Sequence, residues 1–284
     1  MIDLYTKSGL EVPKVNGNPY ITNDHILQNI STLYEYVNNG SYAHTTKRDY
    51  LIVLSNIFKK SQTALHKYIY DRALHYNKLY RDKELKQELD ENEIKNYITY
   101  PELKNKLGEL IDIFNKDRTL KNLLNVVVLG LYVLHPPLRN DYNNLTIIRK
   151  DDEEKDKTKN YILLANDTYY IIINKDKVYK THGRSEIPIT NDMLKHILNV
   201  YMDSYGKDNI YLLETKKGKP YTKRQVQYII NNLFEDKVLN IYNLRSAYVT
   251  DYYKQCPPLA DKKDLAYNMR HTADTAELIY CKYF

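Results

Sequence analysis

The chain has no tryptophan, only four phenylalanines and only two cysteines among its 284 residues. Cys256 and Cys281 cannot build a disulfide framework, and their spacing does not match a zinc site. This scarcity predicts a reducing compartment inside the cell and a reaction without a structural metal, and we expect no cofactor. The sequence also lacks any run of 18 uncharged apolar residues, and its first residues lack the apolar core of a signal peptide. We therefore expect a soluble protein without a membrane partner.

Arginine is the other scarce residue, with 10 among 42 basic side chains, whereas tyrosine is abundant at 30. Abundant Tyr, Asn, Lys and Ile are typical of an AT-rich coding sequence, in which lysine often replaces arginine. The arginines that remain therefore stand out, and Arg139 and Arg245 are the two in informative surroundings. The net charge of +6 is compatible with a nucleic-acid partner but also with many other intracellular enzymes.

The length of the chain suits two domains. Polar residues with Gly and Pro predict a loosely held N-terminal arm over 1–22. Apolar residues at helical spacing then predict a four-helix or five-helix bundle over 23–116. A charged interruption at 115–118 separates two apolar helices and predicts that a second domain covers 117–284.

The second domain begins with an apolar helix that Pro136 and Pro137 must end, because proline lacks the backbone donor that a helix needs. Alternating apolar runs at 161–165 and 169–174 predict a hairpin, and 186–189 predicts a third strand. The charged run at 149–160 is interpreted as a solvated loop. Helices are expected at 191–205, 223–234, 244–254 and 276–283. The predicted fold class is mainly α with a small antiparallel β-sheet.

Four residues of this domain form a set suited to phosphodiester cleavage. Arg139 and Arg245 offer planar donor forks that match phosphate oxygens and stay charged. Tyr280 lies nine residues after His271, and a tyrosine hydroxyl can serve as a covalent nucleophile. These residue types together predict cleavage and rejoining of DNA strands.

The segments around these residues resemble the tyrosine recombinases, also called the phage-integrase family. The segment from Tyr242 to Thr250 is similar to the family's His-x-x-Arg motif, with Tyr242 in place of the histidine. Arg270-His271-Thr272 resembles its Gly-His-Ser segment, with Arg270 in place of the glycine. The Lys-Thr and Ile-Pro pairs between 180 and 188 resemble its lysine-bearing hairpin, and the likeness covers about 119–284.

This resemblance implies a helical core-binding domain and a catalytic domain that clamp duplex DNA. Tyr280 would form a 3′-phosphotyrosine while Lys180 protonates the leaving 5′ hydroxyl. Arg139, Arg245 and His271 would hold the scissile phosphate, and Tyr242 would add a hydrogen-bond donor. Asp141 would hold an arginine in place. Recombination would take place in a homo-tetramer built on DNA. Only four residues follow Tyr280 in this sequence, so we expect a free monomer that assembles on DNA.

Several alternatives remain open on sequence grounds. Tyr283 and Tyr267 compete as nucleophiles, and Lys175 and Lys177 compete with Lys180. A type IB topoisomerase uses a similar residue set. Tyr242, which does not titrate near neutrality as histidine does, also allows a DNA-binding relative with weak or no cleavage.

Overall fold

A computed structural model describes residues 1–87, 89, 91–149, 156–165, 168–206 and 209–282, although not the side chains of 92, 165, 168 and 206. The chain forms two compact units, Met1–Lys86 and Gln87–Phe284. No helix in these described ranges is both long and apolar enough to cross a membrane.

The first unit is a helical bundle with a short two-stranded ribbon. Its elements are α1 (Ile2–Lys7), β1 (Lys14–Val15), β2 (Asn18–Pro19), α2 (Asn23–Gln28), α3 (Ile30–Asn39), α4 (His44–Phe58) and α5 (Thr63–Lys86). Its core includes Leu33, Leu51 and Leu54, whose apolar spacing along the sequence predicted this bundle. Leu4 and Tyr5 of α1 are buried in the same core, so the predicted loose arm begins with a packed helix.

One predicted helix of this bundle is two helices. The apolar spacing indicated a single helix through Ile26 and Val37. The backbone instead breaks at Asn29, whose side-chain amide donates to the carbonyl of His25 at 2.8 Å. Asparagine competes for backbone hydrogen bonds and therefore favours helix ends over helix interiors.

The second unit contains most of the chain's helices. They are α6 (Glu91–Lys95), α7 (Tyr100–Lys116), α8 (Leu120–Val133), α9 (Tyr179–His182), α10 (Asp192–Tyr201), α11 (Lys223–Asn232), α12 (Ile241–Lys254), α13 (Leu259–Asn268) and α14 (Ala273–Thr275). A 3₁₀ turn covers Asp141–Asn144, and π-helical turns cover Met202–Gly206 and Ala276–Tyr280.

Side-chain caps start several of these helices. Thr99 accepts from the Glu102 amide while the Glu102 carboxylate accepts from the Thr99 amide. Pro101 lies in the first turn, where its missing N–H leaves no hydrogen bond unmade. Thr222 caps α11 in the same reciprocal way.

The second unit also holds a four-stranded sheet in the order β3 (Thr146–Arg149), β4 (Tyr161–Ala165), β5 (Thr168–Ile173) and β6 (Ser185–Ile189). β4, β5 and β6 pair antiparallel, as predicted. β3 pairs parallel to β4, and this strand was not predicted from the sequence. Of the predicted loop at 149–160, residues 150–155 lie outside the described part. Pro188 sits in β6, an edge strand, where a missing ladder donor is tolerated.

The core of the second unit forms around α8, which is apolar on nearly every side and buried along most of its length. Leu103, Leu107 and Phe114 of α7 pack into this core. The compact units consequently divide after Lys86, whereas the charge interruption indicated a boundary at 116/117. That interruption separates two helices that share one core.

Candidate active site

The turn after α8 holds the backbone of Arg139 in place. The buried Tyr142 hydroxyl donates to the Leu131 carbonyl at 3.1 Å and accepts from the Leu138 amide at 3.2 Å. The Tyr132 hydroxyl donates to the carbonyl of Arg139 itself at 3.0 Å. The two prolines thus end α8, and hydrogen bonds from two buried tyrosines fix the backbone that leads to Arg139.

Arg245 lies on α12 and is only 1% exposed. Its guanidinium donates to the carbonyl of Pro137 and, at 3.3 Å, to that of Met269. It also lies over the Tyr280 ring, 4.7 Å from the ring centroid. Burial lowers the pKa of Arg245, the Tyr280 side chain opposes this shift, and the positive charge of Arg139 adds to it.

Arg139 and Arg245 both contact the short turn formed by Met269 and Arg270. The Arg139 guanidinium donates to the Arg270 carbonyl at 3.3 Å, one residue beyond the carbonyl that Arg245 contacts. Within the described part of the chain, neither guanidinium forms an ion pair with a carboxylate. Within the described residues, these two neighbouring cations, one of them fully buried, are contacted by neutral carbonyls and by the Tyr280 side chain, and the buried Nε of Arg245 has no hydrogen-bond partner. Such an arrangement suits an anionic ligand.

A cleft of about 530 Å³ opens beside Arg139. Its charged lining consists of the cations Arg139, Lys175, Lys177 and Lys223 and the carboxylates Asp141 and Asp176. Burial raises the pKa of Asp141. Among the described contacts Asp141 forms no ion pair with either arginine, so its predicted holding role remains a prediction.

His271 and Tyr280 stack on each other at the same turn, with ring centroids 5.2 Å apart and planes 24° apart. The Nδ1 atom of His271 lies 3.1 Å from the Thr272 carbonyl. A carbonyl can only accept, so Nδ1 carries the proton and Nε2 is an acceptor. Nε2 is buried and has no partner among the described atoms.

The backbone of Tyr280 is fixed by α12, the helix that carries Arg245. The Tyr280 carbonyl accepts from the Ser246 hydroxyl at 2.6 Å and from the Thr250 hydroxyl at 3.2 Å. The side chain is 7% exposed. Neither anchor was predicted from the sequence, although Ser246 and Thr250 both lie within the motif from Tyr242 to Thr250.

The Tyr242 ring contacts the Tyr280 ring, and the Tyr242 hydroxyl already has a hydrogen-bond partner. The two ring centroids are 5.5 Å apart, and the Tyr242 hydroxyl donates to the Ile279 carbonyl at 2.9 Å. The hydroxyl therefore supports the turn that carries Tyr280. A direct hydrogen bond from Tyr242 to a phosphate would require this contact to break.

Lys180 is the predicted residue that the structure does not bring into the cluster. It lies exposed on α9, in the connection between β5 and β6. Of the competing nucleophiles, Tyr267 lies on α13, and its hydroxyl accepts from the Ser185 hydroxyl at 3.1 Å. Tyr283 lies outside the described residues.

Two buried histidines predict acid sensitivity of the fold. Burial lowers the pKa of His135 to about 4 and that of His271 to about 3, from the ordinary value of 6.5. Below pH 6.5 the unfolded chain therefore binds more protons than the folded chain. We expect each histidine to lower the free energy of unfolding by about 1 kcal/mol per pH unit on average as the pH falls from 6.5 to 5, with the slope rising towards about 1.4 kcal/mol per unit at the lower end.

Urea unfolding at several pH values measures this slope. His271→Asn and His135→Gln should each make it shallower than in the wild type, whatever their effect on stability at pH 7. An unchanged slope in both variants would contradict the assignment.

No protein-family model and no curated protein matches the chain, but solved structures do. A lambda integrase dimer bound to a COC′ core site matches 94% of this chain at 15% identity with a TM-score of 0.52, and this chain spans 66% of that chain's length. XerA recombinase matches 99% of this chain and 84% of its own at 12% identity, with a TM-score of 0.45. DNA-bound lambda integrase matches again over 90% and 87% at 12% identity, with a TM-score of 0.41.

Only the first of these three scores is high enough to support a shared fold. It confirms, at the level of the fold, the resemblance that the motifs predicted. The chain therefore has the fold of lambda integrase, a tyrosine recombinase.

Proposed function

We propose that this protein is a site-specific DNA recombinase that cleaves and rejoins strands through a 3′-phosphotyrosine. The observation that carries the proposal is the pair Arg139 and Arg245, which lack a carboxylate partner in the described structure and lie beside a stacked His271 and Tyr280. A DNA phosphate is the anion that such a site would accept.

In the proposed reaction the two guanidinium groups bind the non-bridging oxygens of the scissile phosphate. Negative charge that develops on these oxygens then meets donors that are already in position. Arg245 is held by two backbone carbonyls, so little reorganisation is needed when the phosphate binds. Aligned donors of this kind stabilise a transition state without a metal ion.

Bond making and breaking follow from the same geometry. The Tyr280 oxygen bonds to phosphorus, and the bond from phosphorus to the 5′ oxygen breaks. Neutral His271 has the free Nε2 lone pair that can take the phenolic proton, and Lys180 supplies a proton to the 5′ oxygen. The energy of the phosphodiester is kept in the phosphotyrosine, so attack by another 5′ hydroxyl rejoins DNA without ATP.

The proposed partner is double-stranded DNA, and recombination needs four active sites. We propose that two protomers on each of two DNA sites assemble into a homo-tetramer. The lambda integrase to which the chain is similar was crystallised as a dimer on a core site, and DNA-bound assembly of this kind supports the proposal.

The experiment that tests this function is covalent trapping on nicked DNA that carries a randomised sequence. Cleavage next to the nick releases a short fragment, so the protein stays attached and its DNA can be sequenced. We expect a defined site, and a peptide covering 276–282 with nucleotide on Tyr280. We also expect equal adduct with and without EDTA.

Other outcomes would point elsewhere. Adducts on unrelated sequences together with relaxation of supercoiled plasmid would favour a type IB topoisomerase. Selected binding without any adduct would indicate a DNA-binding protein that does not cleave, and complete inhibition by EDTA would contradict the metal-free chemistry.

A further inference from the structure

Arg270 occupies the position at which the resembling motif has glycine. Its backbone φ is +59°, in the left-handed region that favours glycine over other residues. Its side chain is nevertheless one of the most buried in the protein, at 1% exposure. A large charged residue kept in an unfavourable backbone conformation and out of solvent calls for a specific role.

All three guanidinium nitrogens of Arg270 are occupied. Nε and Nη2 donate to the two carboxylate oxygens of Asp176 at 3.0 Å each, and that carboxylate is only 2% exposed. Nη2 also donates to the Gly183 carbonyl at 2.7 Å, and Nη1 donates to the Ser185 hydroxyl. Four of the five N–H donors of Arg270 are therefore engaged, and its charge is already paired with Asp176 in a side chain that is 1% exposed, so its role is not simple anion binding.

The backbone and the side chain of Arg270 contact different parts of the proposed site. Its carbonyl accepts from Arg139, and the preceding carbonyl of Met269 accepts from Arg245. Its side chain holds the connection between β5 and β6 on both sides of α9. Asp176 precedes α9, Gly183 directly follows it, and α9 carries Lys180.

His182, at the end of α9, indicates which way this connection faces. Burial lowers its pKa, and the positive charges of Arg270 and Arg139 lower it further. His182 in turn lowers the pKa of His271. One side of α9 therefore lies within electrostatic range of the cluster around Tyr280.

We propose that Arg270 and Asp176 form a positioning pair that holds α9 beside the two arginines, so that the Lys180 ammonium reaches the leaving 5′ oxygen. This inference rests on the proposed function. Neither member of the pair touches the substrate. Their effect is confined to one step, in which a proton passes from the Lys180 nitrogen to the 5′ oxygen as the bond between phosphorus and that oxygen breaks.

The test compares ordinary DNA with DNA in which sulfur replaces the bridging 5′ oxygen at the selected site. A thiolate leaves without protonation, so the sulfur substrate does not need Lys180. The variant is R270G/D176N, because it leaves no unpaired buried charge and glycine suits the φ of +59°. We expect it to cleave ordinary DNA about 100-fold or more slowly than the wild type, the usual size of a general-acid contribution. On the sulfur substrate it should cleave at a rate close to that of the wild type.

Two control variants are compared with R270G/D176N on the same two substrates. Lys180→Ala should show the same selective rescue by sulfur. D192N/K195A removes an exposed ion pair on α10 and should leave both rates unchanged. If circular dichroism shows that R270G/D176N does not fold, Arg270→Lys replaces it. A lysine keeps the charge beside Asp176 but cannot also hold Gly183 and Ser185, so a smaller loss with the same rescue is expected.

Equal slowing on both substrates would overturn the positioning role while leaving the proposed function intact, and so would unchanged cleavage of ordinary DNA. No adduct from the wild type on either substrate would instead reject the proposed function, and this inference with it.

Discussion

Replacing Tyr280 with phenylalanine is expected to abolish the covalent DNA adduct while leaving DNA affinity nearly unchanged. Tyr280 belongs to one apolar cluster with Val249 and Met269, and its ring stacks on His271 and lies under Arg245. Phenylalanine can keep these contacts and loses only the nucleophilic oxygen. The adduct is measured on the trapped site by denaturing gel, and affinity by a filter-binding titration.

The matched control is Tyr253→Phe. Tyr253 belongs to the same apolar cluster, and its buried hydroxyl has no partner among the described atoms. This variant should form adduct at the wild-type level. An adduct that persists in Tyr280→Phe would move the nucleophile to Tyr283 or Tyr267, and peptide mapping would identify which.

Arg139→Lys and Arg245→Lys are each expected to slow cleavage by about 100-fold to 1,000-fold, the usual cost of one lost donor at a developing oxyanion. Lysine keeps the charge but not the planar fork. At position 245 an ammonium would also have to satisfy Pro137 and Met269, which the guanidinium reaches with separate nitrogens. Single-turnover cleavage of the selected site measures the rate.

Because both substitutions conserve charge, the salt dependence of DNA binding should stay the same. Arg118→Lys serves as the control, since the Arg118 guanidinium lies over the Phe114 ring, 5.6 Å from its centroid. It should cleave at the wild-type rate. Near-normal rates for both Arg139→Lys and Arg245→Lys would remove these arginines from the active site.

The sequence predicted correctly those features of the fold that depend on a single short segment. The end of α8 at its two prolines and the hairpin of β4 and β5 depend on residues within a few positions of each other. The order of motifs around Arg139, Arg245, His271 and Tyr280 was also visible. Residue type and spacing determine which chemistry is available, and these are properties of the sequence itself.

Tertiary structure decided the features that depend on distant partners. Phe114 belongs to the second core because α7 packs on α8, and no charge pattern at 115–118 reveals that packing. Asp176 and Arg270 are 94 residues apart, so the sequence showed an arginine in a glycine position but not the carboxylate that it binds. Burial of both charges becomes favourable only when the fold brings them together.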